Sequence, residues 1–290
     1  MSDFVYFAIS TVSLGSLYAV MALGLVIVYG ILRLVNFAYG TLIMIAGYTL
    51  YLIQSSSLPW LAMGILAVCA AIGGSVLTER IAFRPIRNKS LTAMLVTSFA
   101  VMVIFKNAAV VFISPRARVV PVPSLFEETI QIVGNQIPIR DLLAIGVSIT
   151  LLVGFTLLLN RTVLGIALRA AAQNLTMTRM LGIPANTVIG LAFAISGLMA
   201  GIVALFWLGR TGSVTPSIGL QPLIIAFIAT VLGGMRSLVG AVVGGYILAL
   251  ITVSANTFLP QTILDFRQAV IFGFVIVILL VRPQGLVGKN

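Results

Sequence analysis

The chain has 290 residues, 60% of them apolar and only 8% charged, against about 45–50% and about 25% in soluble domains. Roughly nine segments of about 20 residues would take up about 180 positions, so the chain is expected to be all-α: a polytopic inner-membrane helical bundle of about 8–9 transmembrane helices, forming a single domain over residues 1–290. Soluble enzymes, nucleic-acid binders and secreted disulfide scaffolds are excluded, long unbroken apolar runs argue against a β-barrel, and the net charge of +11 is read as the basic excess of cytoplasmic loops.

In chain order, Phe4 to Leu32 is uncharged and long enough for one tilted span. The uncharged stretch from Leu34 to Thr78 is broken at Gln54-Ser-Ser-Ser-Leu-Pro59, a turn signal, into spans at 34–53 and 60–78. A basic loop at 79–89 precedes a fourth span at 91–113. Residues 114–141 form the longest polar stretch and are read as a periplasmic loop, followed by a fifth span at 142–160. A basic segment at 161–185 leads into a sixth span at 186–209, and the Gly/Pro-rich stretch from Arg210 to Pro222 opens the short run 223–232. That run is either a crossing or a half-helix entering and leaving on one side, and Gly233-Gly-Met-Arg-Ser237 ends it. Spans at 238–258 and 266–281 and a tail from Arg282 complete the chain. Cys69 is expected to pack as a small apolar residue. Met1-Ser2-Asp3 lacks the basic start of a cleaved leader, so the first apolar stretch is expected to stay as a span.

Charge bias sets the sides. With loop 79–89 in the cytoplasm and strict alternation, the inside holds eleven basic groups against one acid, Glu79, with Arg236 as an inside anchor. The outside holds five of each sign, and the N-terminus falls outside and the C-terminus in the cytoplasm. Lys106 alone lies inside a span, where it either snorkels to the outer interface or meets water, an anion or a carboxylate.

None of the six acids falls inside these spans, which argues against proton or sodium coupling, although backbone carbonyls can ligate sodium without one. There is no histidine and no phosphate-binding loop, so nucleotide energy would have to come from a separate subunit. Gly197-Leu-Met-Ala-Gly201 and Gly240-Ala-Val-Val-Gly244 read as close helix packing, with helix mobility as the alternative. Asn36 and Tyr39 lie between Gly30 and Gly40, at either a turn between spans or a helix break lining a pathway.

The segment Leu164 to Pro184 carries Leu164, Leu168, Ala171 and Leu175 at helical spacing, and three alanines at 170–172 leave a low profile. Gly182 suits the left-handed residue after a helix end, with Pro184 two positions on. This predicts a short amphipathic helix that either fits a groove on a partner or lies on headgroups.

These stretches, with Gly15 to Gly24, Tyr29 to Gly40, Pro123 to Phe126, Ala229 to Gly234 and Arg282-Pro-Gln-Gly285, resemble the permeases of the branched-chain amino acid ABC importers, within the ribose/branched-chain amino acid permease family. The resemblance spans nearly the whole chain. It implies an ABC importer permease fold, a transport role for branched-chain or other small amino acids, and no catalysis or cofactor in this chain. It further implies a second permease (homo- or heterodimer), two cytoplasmic ATPases binding ATP and Mg, and a periplasmic substrate-binding protein. Similar proteins also import urea or short amides, and a gradient-driven carrier is the alternative from a different class. By the same resemblance, 161–185 holds the ATPase-coupling segment, with Arg169, Ala170, Gln173, Leu181 and Gly182 as its matching positions. Asn36, Tyr39, Lys106 and Asn107 are the candidate pathway residues. Two of them depart from the pattern: similar proteins often have histidine at Tyr39 and a neutral residue near Lys106.

Overall fold

A computed structural model describes residues 2–87, 89–120, 122–132, 135–235, 237–259 and 266–287. Arg236, assigned above as an inside anchor, lies outside the described residues, as do Asp265 and Lys289, counted above among the outside acids and the inside bases. Among the described residues six helices are long and apolar enough to cross a membrane: α1 (Ser2–Leu32), α3 (Trp60–Thr78, continued by a π turn to Phe83), α4 (Leu91–Phe112), α6 (Ile139–Arg161), α9 (Ala185–Thr211) and α11 (Leu238–Phe258). The chain is an all-α polytopic membrane protein. Shorter apolar helices among the described residues include α2 (Tyr39–Ile53), α10 (Leu220–Gly233) and α12 (Arg267–Val281). At 14 or 15 residues each runs about 21–22 Å, less than the roughly 30 Å hydrocarbon core.

Three expectations change. The second apolar helix begins at Tyr39, not at 34, because residues 33–38 form a non-helical turn. Glu79 does not end its helix: the backbone stays helical through Phe83, and Glu79 is buried inside a candidate span. Its charge is met by Arg87, so the carboxylate need not stop the helix at the boundary. Cys69 is exposed. In a lipid-facing helix the outer surface is as apolar as the core, so apolar character does not by itself turn a side chain inward.

The chain divides into two compact units, one of residues Met1–Val26, Ser124–Leu151 and Ile225–Asn290, the other of Ile27–Pro123 and Leu152–Ile224. In the first, α1 packs on α11. Ser16 and Tyr246 hydroxyls hydrogen-bond at 2.9 Å, and a Cβ on Gly245 would lie 2.6 Å from the Ala19 nitrogen. Gly240 and Gly244 of α11 press on α10, where added Cβ atoms would meet the Gly233 and Ala229 carbonyls at 2.3 and 2.0 Å. That motif is thus a packing face. The end of α10 leaves carbonyls without intrahelical donors. The tail supplies them: after the Arg282–Gly285 turn, Leu286 N–H donates to Leu232 O and Val287 N–H to Gly233 O. A hairpin of β2 (Thr129–Ile132) and β3 (Asn135–Pro138) follows the short α5 (Ser124–Glu127).

In the second unit α3, α9 and α2 form the core. Gly197 and Gly201 of α9 sit against α3, where a Cβ on Gly197 would be 2.8 Å from Ala71 O and one on Gly201 2.9 Å from Val68 Cα. The buried Ser75 hydroxyl donates to Phe193 O across this contact at 2.6 Å. Ser75→Ala is therefore expected to destabilise the fold by about 1–2 kcal/mol, read as a lower melting temperature in detergent, whereas Ser75→Thr would add a methyl to a filled groove and do worse.

At one end of this unit, β1 (Arg118–Val119) pairs with β4 (Ser213–Val214), and the Arg118 guanidinium lies 5.8 Å from the Tyr51 ring. At the other end, Arg33 donates to Ala172 O at 2.8 Å and Arg87 donates to Asn186. The loops that charge assigns to opposite sides of the membrane thus lie at opposite ends of α9.

Candidate functional site

The turn between α1 and α2 starts at Arg33, whose φ of 58° is in the left-handed region, and runs to Ala38. Non-helical backbone at membrane depth is tolerated only when protein covers it. Here Leu34, Asn36, Ala38 and Tyr39 are all buried. The Asn36 side chain accepts from Ala38 N–H at 3.1 Å, and Tyr39 N–H donates to Asn36 O, so the side chain holds the turn that starts α2. Phe37 stacks on Phe99 with ring centroids 4.0 Å apart. Phe99 is the ninth residue of α4, about 12 Å along it, so α2 starts partway along α4 and not beside its end. The segment is thus a turn, the first of the two sequence alternatives, packed against the middle of α4.

Gly40, next in line, meets the backbone ahead of α10. A Cβ on Gly40 would lie 2.4 Å from Gly219 O, and one on Gly219 would lie 1.8 Å from Gly40 O. The first turns of α2 and α10 therefore touch. Beside them opens a cavity lined by Gly40, Thr41, Met44, Met102, Lys106, Pro216, Ser217, Gly219, Leu220 and Leu223. Of the four pathway residues named from sequence, Lys106 lines it. Asn36 and Tyr39 lie buried in the chain leading to it, and Asn107 is exposed on α4 without lining it. Thr41, Ser217 and Gly219 escaped the sequence reading, although Pro216-Ser-Ile-Gly219 was a visible break signal ahead of the short apolar run.

The segment 161–185 is not one amphipathic helix but two: α7 (Val163–Gln173) and α8 (Leu175–Met180). Asn174 divides them, capping Thr176 and Met177 N–H groups with its side chain, while Thr162 caps Gly165 N–H. Leu168 and Ala171 are buried as the spacing predicts, but Leu164 is exposed. Arg169 is exposed and donates to Asn160 Oδ1 at 2.8 Å; Ala170 is half-buried and Gln173 exposed. Leu181 is 76% exposed, and Gly182 takes a φ of 80° with nothing within 4 Å of its would-be Cβ. Met177 and Met180 stand exposed beside them, two residues the sequence reading did not single out.

Behind this segment lies an ion pair. Arg87 Nη1 is 3.6 Å from Glu79 Oε1, with side chains 8% and 4% exposed, and Arg87 also donates to Asn186 at the start of α9. Burial holds the Arg87 guanidinium below its usual pKa, and Glu79 opposes that shift.

A family model described as branched-chain amino acid transport system / permease component matches residues 7–281. The chain belongs to that family. The chain is 32% identical to the high-affinity branched-chain amino acid transport system permease protein BraD of Pseudomonas aeruginosa, over 97% of this chain and 94% of BraD. It is likewise 32% identical to the permease protein LivH of Salmonella typhimurium, over 99% of this chain and 97% of LivH. A probable LivH of Methanocaldococcus jannaschii is 27% identical over 95% and 90%. No solved structure matches the chain. As a member of this ABC-type permease family, the chain is a membrane permease subunit, and its family-like stretches fall at structural junctions. Asn36–Gly40 makes the turn into α2, Leu181-Gly182 precedes α9, and Arg282–Gly285 turns the tail back onto α10.

Proposed function

We propose that this permease subunit works in an ATP-driven importer for branched-chain or other small amino acids in the bacterial inner membrane. It has about 8–9 crossings, its N-terminus outside and its C-terminus in the cytoplasm. It forms one transmembrane domain over 1–290 and builds the pathway with a second permease. A periplasmic binding protein delivers substrate, and two ATPases holding ATP and Mg dock on segment 161–185. Arg169, Ala170, Gln173, Leu181 and Gly182 face the ATPases, and Asn36, Tyr39, Lys106 and Asn107 belong to the pathway. The names and near-complete overlap of the BraD and LivH relatives support the substrate class.

The observation that carries the coupling role is the hydrogen bond from Arg33 to Ala172 O, at the far end of α7 from Val163. It ties the docking segment to the residue that opens the turn into α2, so a push on α7 and α8 reaches the cavity through residues 33–40. Exposed Met177, Met180 and Leu181 give a partner an apolar grip next to that tie. The bistable element is this turn and its packing.

In proteoliposomes holding the permeases, ATPases and binding protein, Leu181→Glu is expected to cut uptake at least tenfold while ATP hydrolysis continues. Leu181→Met should keep both. Uptake by the permease alone, driven by a solute or ion gradient without ATP, would overturn the proposal.

A further inference from the structure

The geometry points to a binding subsite for a small carboxylate with an apolar body in the cavity at Lys106; as a place on the substrate's route, this inference rests on the importer reading above. Lys106 sits in α4, about 9 Å short of its end, and lines the cavity. Among the described residues no carboxylate pairs with it and none lines the cavity. A lysine in a membrane helix is costly to leave uncompensated, so an unpaired one lining a cavity calls for a mobile counter-charge.

The surroundings favour that charge. The first turns of α2 and α10 both open onto the cavity at Gly40-Thr41 and Gly219-Leu220. Their partial positive ends add to the ammonium. The Thr41 hydroxyl is spent on Ala38 O, at 2.6 Å. The Ser217 hydroxyl has no such bond and is left to donate. The remaining wall is Met44, Met102 and Leu223, apolar and adaptable, which suits a branched aliphatic body. An anionic phospholipid headgroup would share the charge but not the fit to this wall.

The test is protection of Lys106 from amine acylation, read by peptide mass spectrometry on the purified full chain in phosphatidylcholine nanodiscs. Lys89 serves as the internal reference. Leucine and isovalerate at millimolar concentration are expected to slow labelling of Lys106 at least threefold, and isovaleramide, the neutral isostere, to leave it unchanged. In the assembled transporter, Lys106→Met should raise the leucine concentration for half-maximal uptake at least tenfold, and Lys106→Arg should restore most of it. Equal labelling with and without either carboxylate would overturn the subsite. So would protection given only by phosphatidylglycerol nanodiscs, which would assign the lysine to lipid. Because protection needs no ATPase, gradient-driven uptake would sink the importer reading while leaving the protection result standing.

Discussion

A single methyl group at position 219 is expected to disable the permease. In Gly219→Ala the new carbon would lie 1.8 Å from Gly40 O and 2.4 Å from Gly40 C, distances at which no packed structure survives unmoved. Both obstacles are backbone, so no side chain can swing away. The turn that would have to retreat is pinned by Asn36, by the Phe37–Phe99 stack and by Arg33. Overpacking in ordinary cores costs about 1–3 kcal/mol, and a backbone clash belongs at or above the top of that range. We expect a loss of several degrees in melting temperature together with more than tenfold lower uptake. Gly154→Ala, in α6 with nothing within 4 Å, is the matched control and should cost nothing. If Gly219→Ala melts and transports like the parent, the α2–α10 contact is not as described.

The second large effect is expected at Glu79. Removing one partner of a buried ion pair leaves the other charge uncompensated, which typically costs about 3–5 kcal/mol, and the 4% and 8% exposure of these side chains leaves little solvent to relieve it. Glu79→Ala should therefore lower the melting temperature strongly, and added salt should not mimic it, since buried pairs are poorly screened. Arg80 and Arg84 line the same surface recess as Glu79, so losing the carboxylate also removes the one negative charge among these basic groups. Pairing Glu79→Met with Arg87→Met should recover most of the loss, because an apolar pair of similar size removes both desolvation costs at once. A double variant no better than Glu79→Ala would show that Asn186, held by Arg87, matters more than the charge.

The apolar runs between charged loops were legible because hydropathy and charge are local properties of the chain. The left-handed Gly182 was legible for the same reason: a helix end needs a residue that tolerates positive φ, and glycine does. What was not legible depends on partners distant in sequence. Gly30 and Gly40 signalled a break near Leu34 but not that α2 waits until Tyr39; the turn is held by Phe99 and covered by packing. Glu79 looked like a helix boundary because its neutralising guanidinium sits eight positions on and closes only through space. Leu164 and Cys69 pointed the wrong way because lipid and core reward the same side chains. The cavity joins Lys106 to Gly40 and Gly219, and no spacing rule connects three segments so far apart.

The pairing of α3 with α9 has a consequence for biosynthesis. Ser75 finds its acceptor on Phe193, 118 residues later, and Arg87 finds Asn186, 99 residues later. At about 5–20 residues per second, the ribosome takes roughly 5–25 s to supply those partners. During that interval the groove along Val68, Ala71 and Ser75 and the Arg87 guanidinium stand half-finished. The permease therefore has a window of vulnerability while it is being made, and variants that lengthen α4–α8 or slow their translation should be degraded before they are ever tested for transport.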